Sequence, residues 1–160
     1  YYKNSIFDFS IKVNFLIFMI IEGLIFGFIL LFILNDSSII YNYNFSYYND
    51  IVLAYYLCIG AGIWEEVLFR FILVNLFLKL FINFKSSNNL NIFISIILAG
   101  TIFSTFHYIG DNPDIFTLQS FTIRFIGGFI LGYIYIFRGL GIAAITHFCY
   151  DFLLFALPVI

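Results

Sequence analysis

Apolar residues in this chain run in long unbroken blocks instead of alternating or recurring as one stripe, and the blocks set the architecture. The first covers residues 13–34, is interrupted only by Glu22, and gives way to a polar stretch over residues 35–50. At about 1.5 Å per helical residue, roughly 20 apolar residues cross a bilayer, so this block predicts a transmembrane helix. The second, residues 51–82, passes through Glu65, Glu66 and Arg70. It exceeds one membrane thickness and must tilt, break near Gly60-Ala61-Gly62, or continue along the interface. A third block, 90–109, stops at Asp111-Asn112-Pro113, which is helix-ending chemistry. The fourth spans 121–137 and the fifth 142–157, closed by Pro158. These blocks predict an all-α fold, a polytopic transmembrane helical bundle of about five spans. No internal repeat or linker divides it, beyond the boundary between an N-terminal helix and loop (1–50) and a helical core (51–160).

Composition agrees with the pattern. The 160 residues are 63% hydrophobic and only 10% charged, with a mean hydropathy of +1.05, whereas soluble domains are about a quarter charged. A net charge of -2 leaves no basic surface for nucleic acid, and two prolines among so many aromatics exclude disorder. The partner implied at this level is the lipid bilayer. Lys3, Lys12, Lys79, Lys85 and Arg138 fall at span ends on one side, while the opposite loops carry Asp36, Asp50, Asp111 and Asp114. The positive-inside rule makes the first side cytoplasmic. Cys58 and Cys149 lie in apolar runs, where free thiols are expected. The chain opens at Tyr1 without an initiator Met, as a trimmed or fragmentary product would.

Ionisable residues within spans cost about 2.5–3.5 kcal/mol each on insertion scales, so each asks for a partner or a function. Glu65, Glu66, Arg70, His107, His147 and Asp151 all qualify, and they include both histidines of the chain. Residues four apart are offset by about 40° on a helix, so Glu66 and Arg70 share a face and can neutralise each other. Glu65 lies about 100° away, unpaired within its helix and free to face a cavity as a general base. His147 and Asp151 share a face by the same spacing, as do Phe103 and His107, with Phe103 read as a wall that orients the imidazole. Counted from the uncharged side, Glu65 and His147 lie roughly 20 Å deep and His107 roughly 8 Å, so tilt or a helix break must close that gap.

Three chemistries can use a Glu and two His in a dry pocket. Glu65 can activate water with His107 positioning it, while His147 with Asp151 donates hydrogen bonds to an oxyanion. Alternatively, Glu65, His107, His147 and Asp151 can ligate zinc, which lowers the pKa of bound water. The third is an ion relay of the transporter kind, disfavoured because five spans lack a pair of interrupted helices.

The segments Glu65-Glu66-Val-Leu-Phe-Arg70, Phe103-Ser-Thr-Phe-His107 and His147-Phe-Cys-Tyr-Asp151 resemble the EExxxR, FxxxH and HxxxN/D motifs of the CPBP family of CAAX proteases and bacteriocin-processing enzymes, also called the Abi family. The likeness covers roughly the last two thirds of the chain, in the family's order, and makes residues 51–160 a protease core. It implies an intramembrane endopeptidase with a catalytic cavity in the bilayer. By that resemblance Glu65 activates water, His107 helps hold it, His147 and Asp151 form the oxyanion site, and Glu66, Arg70 and Phe103 support them. It favours a glutamate-dependent mechanism that requires no cofactor, with zinc as the alternative. Asp151 stands where the CAAX-processing branch tends to carry Asn; Asp is common there in bacterial members, so the departure does not speak against membership but a prenylated substrate is not implied.

The expectation is an integral membrane hydrolase of the bacterial cytoplasmic membrane that cuts a membrane-associated peptide or protein. The alternative is an idle scaffold or bacteriocin-immunity protein of the same fold. Glu22, alone in its span, reads as a packing or cavity-facing residue, Trp64 as pocket rim or packing, and the glycines at 127, 128 and 132 as a close helix contact.

Overall fold

The computed structural model describes residues 13–34, 49–82, 87–110 and 113–156, and every element among them is helical. α1 is Val13–Leu34 and α2 is Asn49–Glu65; a π-helical segment, Glu66–Val74, continues α2 directly into α3, Asn75–Phe81. α4 (Asn88–Phe106), α5 (Leu118–Arg138) and α6 (Leu140–Ala156) complete the bundle. α1, α4 and α5 are long and apolar enough to cross a membrane, and α6 adds a shorter apolar helix. Pro158, the loop over residues 35–48, Asp111 and Asn112 of the expected helix stop, and Lys3, Lys12 and Lys85 lie outside the described residues.

Helix ends follow from local chemistry. Ser87 caps α4, its hydroxyl accepting from the Leu90 amide at 3.3 Å, and Thr117 caps α5 through the Ser120 amide at 3.1 Å. Gly139 ends α5 with φ +92°, a backbone that favours glycine, and donates its amide to the Tyr135 carbonyl at 2.9 Å.

The second apolar block does not break at Gly60-Ala61-Gly62. It stays one helical rod and changes its winding at Glu66. π-turns hydrogen-bond five residues apart instead of four, which frees carbonyls that other groups must satisfy. Asn75 does so at the end of the segment, where its Nδ2 donates to the Phe71 carbonyl and to the Tyr135 hydroxyl of α5, each at 2.5 Å.

Packing rests on small residues, which let backbones approach where lipid removes the hydrophobic drive between helices. α4 and α5 cross antiparallel at Gly100 and Gly128. A Cβ on Gly128 would lie 2.9 Å from the Phe103 ring and 3.2 Å from the Gly100 Cα, and one on Gly132 would lie 2.8 Å from Ile96. The expected glycine contact of this span is therefore present. α1 lies along α6 with Gly141 against Met19, Gly23 against Ile145 and Gly27 against Cys149. Both partners ascend in number together, so first and last described helices run parallel, as five crossings require. Leu30, Leu34 and Leu131 form a buried cluster where α1 also reaches α5.

Glu22 departs from its expected role. Its carboxylate takes both arms of the Arg138 guanidinium, Nε to Oε1 and Nη2 to Oε2, the latter at 2.6 Å. A partner 116 positions away has no signature in local spacing. Trp64 is 68% exposed and packs into no core.

Candidate active site

The buried polar groups converge where α2 passes into the π segment and meets α6. Glu66 and Arg70 are both almost wholly enclosed, and Arg70 Nη1 sits 2.9 Å from Glu66 Oε1. The predicted pair forms, but within π winding, so the 100° step used to count faces does not hold downstream of Glu65. Arg70 lies over the Phe103 ring, 4.4 Å from its centroid, and Nη2 reaches the Gly128 carbonyl at 3.5 Å. A buried guanidinium thus has an anion, an aromatic face and a carbonyl for company.

Glu66 has a second client. His147 Nδ1 lies 2.7 Å from the same Oε1. That oxygen only accepts, so Nδ1 carries a proton, which leaves Nε2 a lone pair in the neutral ring and a second donor in the imidazolium. The other ring nitrogen, Nε2, then points at two more carboxylates, Asp151 Oδ2 at 3.4 Å and Glu65 Oε2 at 3.8 Å. Glu65 Oε2 and Glu66 Oε2 are buried acceptors with no hydrogen-bond donor among the described residues.

His107 is placed differently. It caps α4, and its Nδ1 lies 3.0 Å from the Phe103 carbonyl. Phe103 is buried and stands between the two histidines, its ring centroid 4.9 Å from that of His107 and 6.0 Å from that of His147. Phe69 extends the aromatic wall, meeting both Phe103 and Phe106 edge-on at 5.2 and 5.5 Å between ring centroids. The expected gap in depth between His107 and the other groups is bridged by this ring and not by direct contact. Among the described residues no three His, Cys, Asp or Glu side chains are grouped to hold a metal ion. The four candidate zinc ligands do not converge as one set here, because His107 stands beyond Phe103 with one nitrogen given to a backbone carbonyl.

One charged residue inside a span escaped the sequence reading. Arg124, in the second turn of α5, pairs with Asp114 at 2.7 Å and donates to the Tyr108 hydroxyl at 3.0 Å and to the Ser120 hydroxyl. It lies within electrostatic reach of Glu65 and His107. It already lay inside the fourth apolar block, residues 121–137, and that position, an arginine within a span with no acidic residue three or four places away, is the sequence signal that marks it.

A model of the type II CAAX prenyl endopeptidase Rce1-like family matches residues 47–153, which include all three motifs. The chain belongs to this family. No curated protein and no solved structure matches it. Membership in a family of CAAX proteases makes it a protease by kind, and its long apolar helices make it an integral membrane protein. The peptide such a family member acts on is membrane-associated. The resemblance carried by the three motifs is therefore borne out, while the matched region leaves α1 outside.

Proposed function

We propose that the chain hydrolyses a peptide bond of a membrane-associated protein or peptide, with Glu65 as general base. The observation that carries this is Glu65 Oε2, a buried carboxylate oxygen without a donor, 3.8 Å from an imidazole nitrogen whose ring is held from its far side by Glu66.

Glu65 takes a proton from water, and the water oxygen bonds to the carbonyl carbon of the scissile peptide. The carbonyl π pair moves to oxygen, where the Nε2–H of a His147 imidazolium, doubly protonated among the three surrounding carboxylates, stabilises it. Glu66 keeps Nδ1 protonated and the ring in plane, and Asp151 orients Nε2 from the next turn of α6. Collapse expels the amine, which takes the proton that Glu65 received. His107, whose Nδ1 faces the Phe103 carbonyl, offers Nε2 as an acceptor that helps hold the water. No step of this reading passes through a metal or another cofactor.

The family's name supplies one substrate class to try, a prenylated C-terminal CAAX peptide. Asp151, an acceptor where an amide could donate, favours a broader membrane-peptide substrate and a bacterial cytoplasmic membrane.

The test is cleavage of a panel of membrane-associated peptides, prenylated and not, by the protein in nanodiscs. Wild type is compared with Glu65→Gln and His147→Ala, with and without a chelator. Cleavage lost by about 10²- to 10⁴-fold in both variants and indifferent to the chelator supports the reading. Loss on chelation, restored by zinc, moves the chemistry to a metal. A folded protein that cuts nothing supports the scaffold or immunity role.

A further inference from the structure

His107 hangs on the weakest part of its helix. Beyond Phe106 the α4 ladder continues only as three-residue bonds, Tyr108 to the Thr105 carbonyl at 3.0 Å and Ile109 to Phe106 at 3.3 Å, and Gly110 turns away with φ +126°. Such an end frays unless something outside the helix holds it.

The holding groups converge on one guanidinium. Arg124 Nη1 donates to the hydroxyls of Tyr108 and Ser120, which bond each other at 2.9 Å, and Nη2 binds Asp114. The Tyr108 ring lies under the guanidinium at 5.4 Å and packs against Phe116 and Phe121. Asp114 closes the circuit, because its amide donates to the carbonyl of His107 itself at 3.0 Å. Arg124 thus grips the residue after His107 by its side chain and His107 by its backbone. The guanidinium side chain is 16% exposed and its Asp114 partner 47%, so the ion pair meets solvent on the carboxylate side while the hydroxyl bonds to Tyr108 and Ser120 are part-buried.

We infer that Arg124 is a positioning residue for His107, acting through Tyr108 and Asp114 to fix the imidazole's place beside Phe103. This rests on the reading that His107 serves the hydrolytic site. The catalytic groups on α2 and α6 are tied to each other through Glu66, whereas His107 has no direct bond to them. The clamp is what fixes its distance from Glu65.

The chain has two histidines, so the test can be spectroscopic and independent of turnover. The full chain, labelled with ¹⁵N-histidine in nanodiscs, is compared with Arg124→Gln, Arg124→Lys and the exchanged pair Arg124→Asp/Asp114→Arg, with His107→Gln assigning the signals. In wild type His107 shows one tautomer, protonated at Nδ1. In Arg124→Gln its two ring nitrogens average while His147 stays unmoved, and the exchanged pair restores the single form. A His107 signal unchanged in Arg124→Gln overturns the inference. If Gln disturbs both histidines, Arg124→Lys decides by the same criterion. On any peptide the wild type cuts, Arg124→Gln lowers kcat about tenfold to hundredfold with KM held, the cost of a misplaced group and not of lost binding. If wild type cuts no peptide the proposed activity fails, and the nitrogen spectra still decide the role of Arg124.

Discussion

Glu66→Gln should destabilise the protein far more than Glu65→Gln, although the two residues are adjacent. Glu66 is wholly buried and neutralises Arg70, which is itself buried with only a ring face and a carbonyl 3.5 Å away for other company. The amide keeps the volume and can still accept from His147, so the change removes charge and little else. Breaking a buried pair by deleting one partner costs about 3–5 kcal/mol, and the retained shape puts this case near 3 kcal/mol. For a protein of this size that is on the order of 10 °C in Tm. Glu65, with its side chain 26% exposed and no hydrogen-bond donor, should cost less than about 1 kcal/mol while cleavage disappears. Thermal unfolding in nanodiscs with a tryptophan or dye reporter, on both variants and on Arg70→Met, reads this directly. The double variant Glu66→Gln/Arg70→Met should lose less than the sum of the singles, since it leaves no orphan charge. Equal stability loss at positions 65 and 66, or strict additivity in the double, would refute the argument.

Gly62→Ala should cost about 1–3 kcal/mol by thermal melt, because a Cβ there meets Phe148 backbone nitrogen and the Ala144 carbonyl at 3.0 Å, whereas Gly60→Ala, with open space around it, should be neutral or mildly stabilising. Gly139→Ala places a side chain at φ +92°, and should lower stability by about 1–3 kcal/mol without a loss of per-molecule activity in the folded fraction. Reversing the outer ion pair as Glu22→Arg/Arg138→Glu should recover the melting temperature lost in either single change; two singles indistinguishable from wild type would show that α1 docks without it.

The fold was legible because spans are read from apolar length, and a helix such as Asn88–Phe106 differs from its predicted block by only a few residues at each end. The Glu66–Arg70 pair was legible because spacing of four brings residues together in either winding. Of the three options open to the second block, a break at Gly60–Gly62 is not the one taken, since Gly62 admits α6 there and the irregularity lies at Glu66. No local preference marks a π segment, which tertiary bonds such as Asn75 to Tyr135 sustain. Sequence also could not show that Glu66 reaches His147, 81 positions on, or that Glu22 reaches Arg138. Both depend on which helices become neighbours. Arg124 lay within the fourth block but has no acidic residue at helical spacing, and its partners Asp114 and Tyr108 come from the preceding loop and helix end.

The parallel seam between α1 and α6 orders events during synthesis. The Gly23 and Gly27 face of α1 enters the bilayer first of the described helices, yet the ridge it accepts, at Ile145 and Cys149, is made last. His147 and Asp151 ride on that same late helix. A nascent chain therefore holds Glu65 in the membrane without the imidazole it faces in the closed bundle, and on the proposed mechanism hydrolytic competence arrives only with that closure. A ribosome that stalls before α6 releases a membrane protein whose α1 glycine face has no ridge to close on, and under the proposed mechanism one that cannot cut its neighbours.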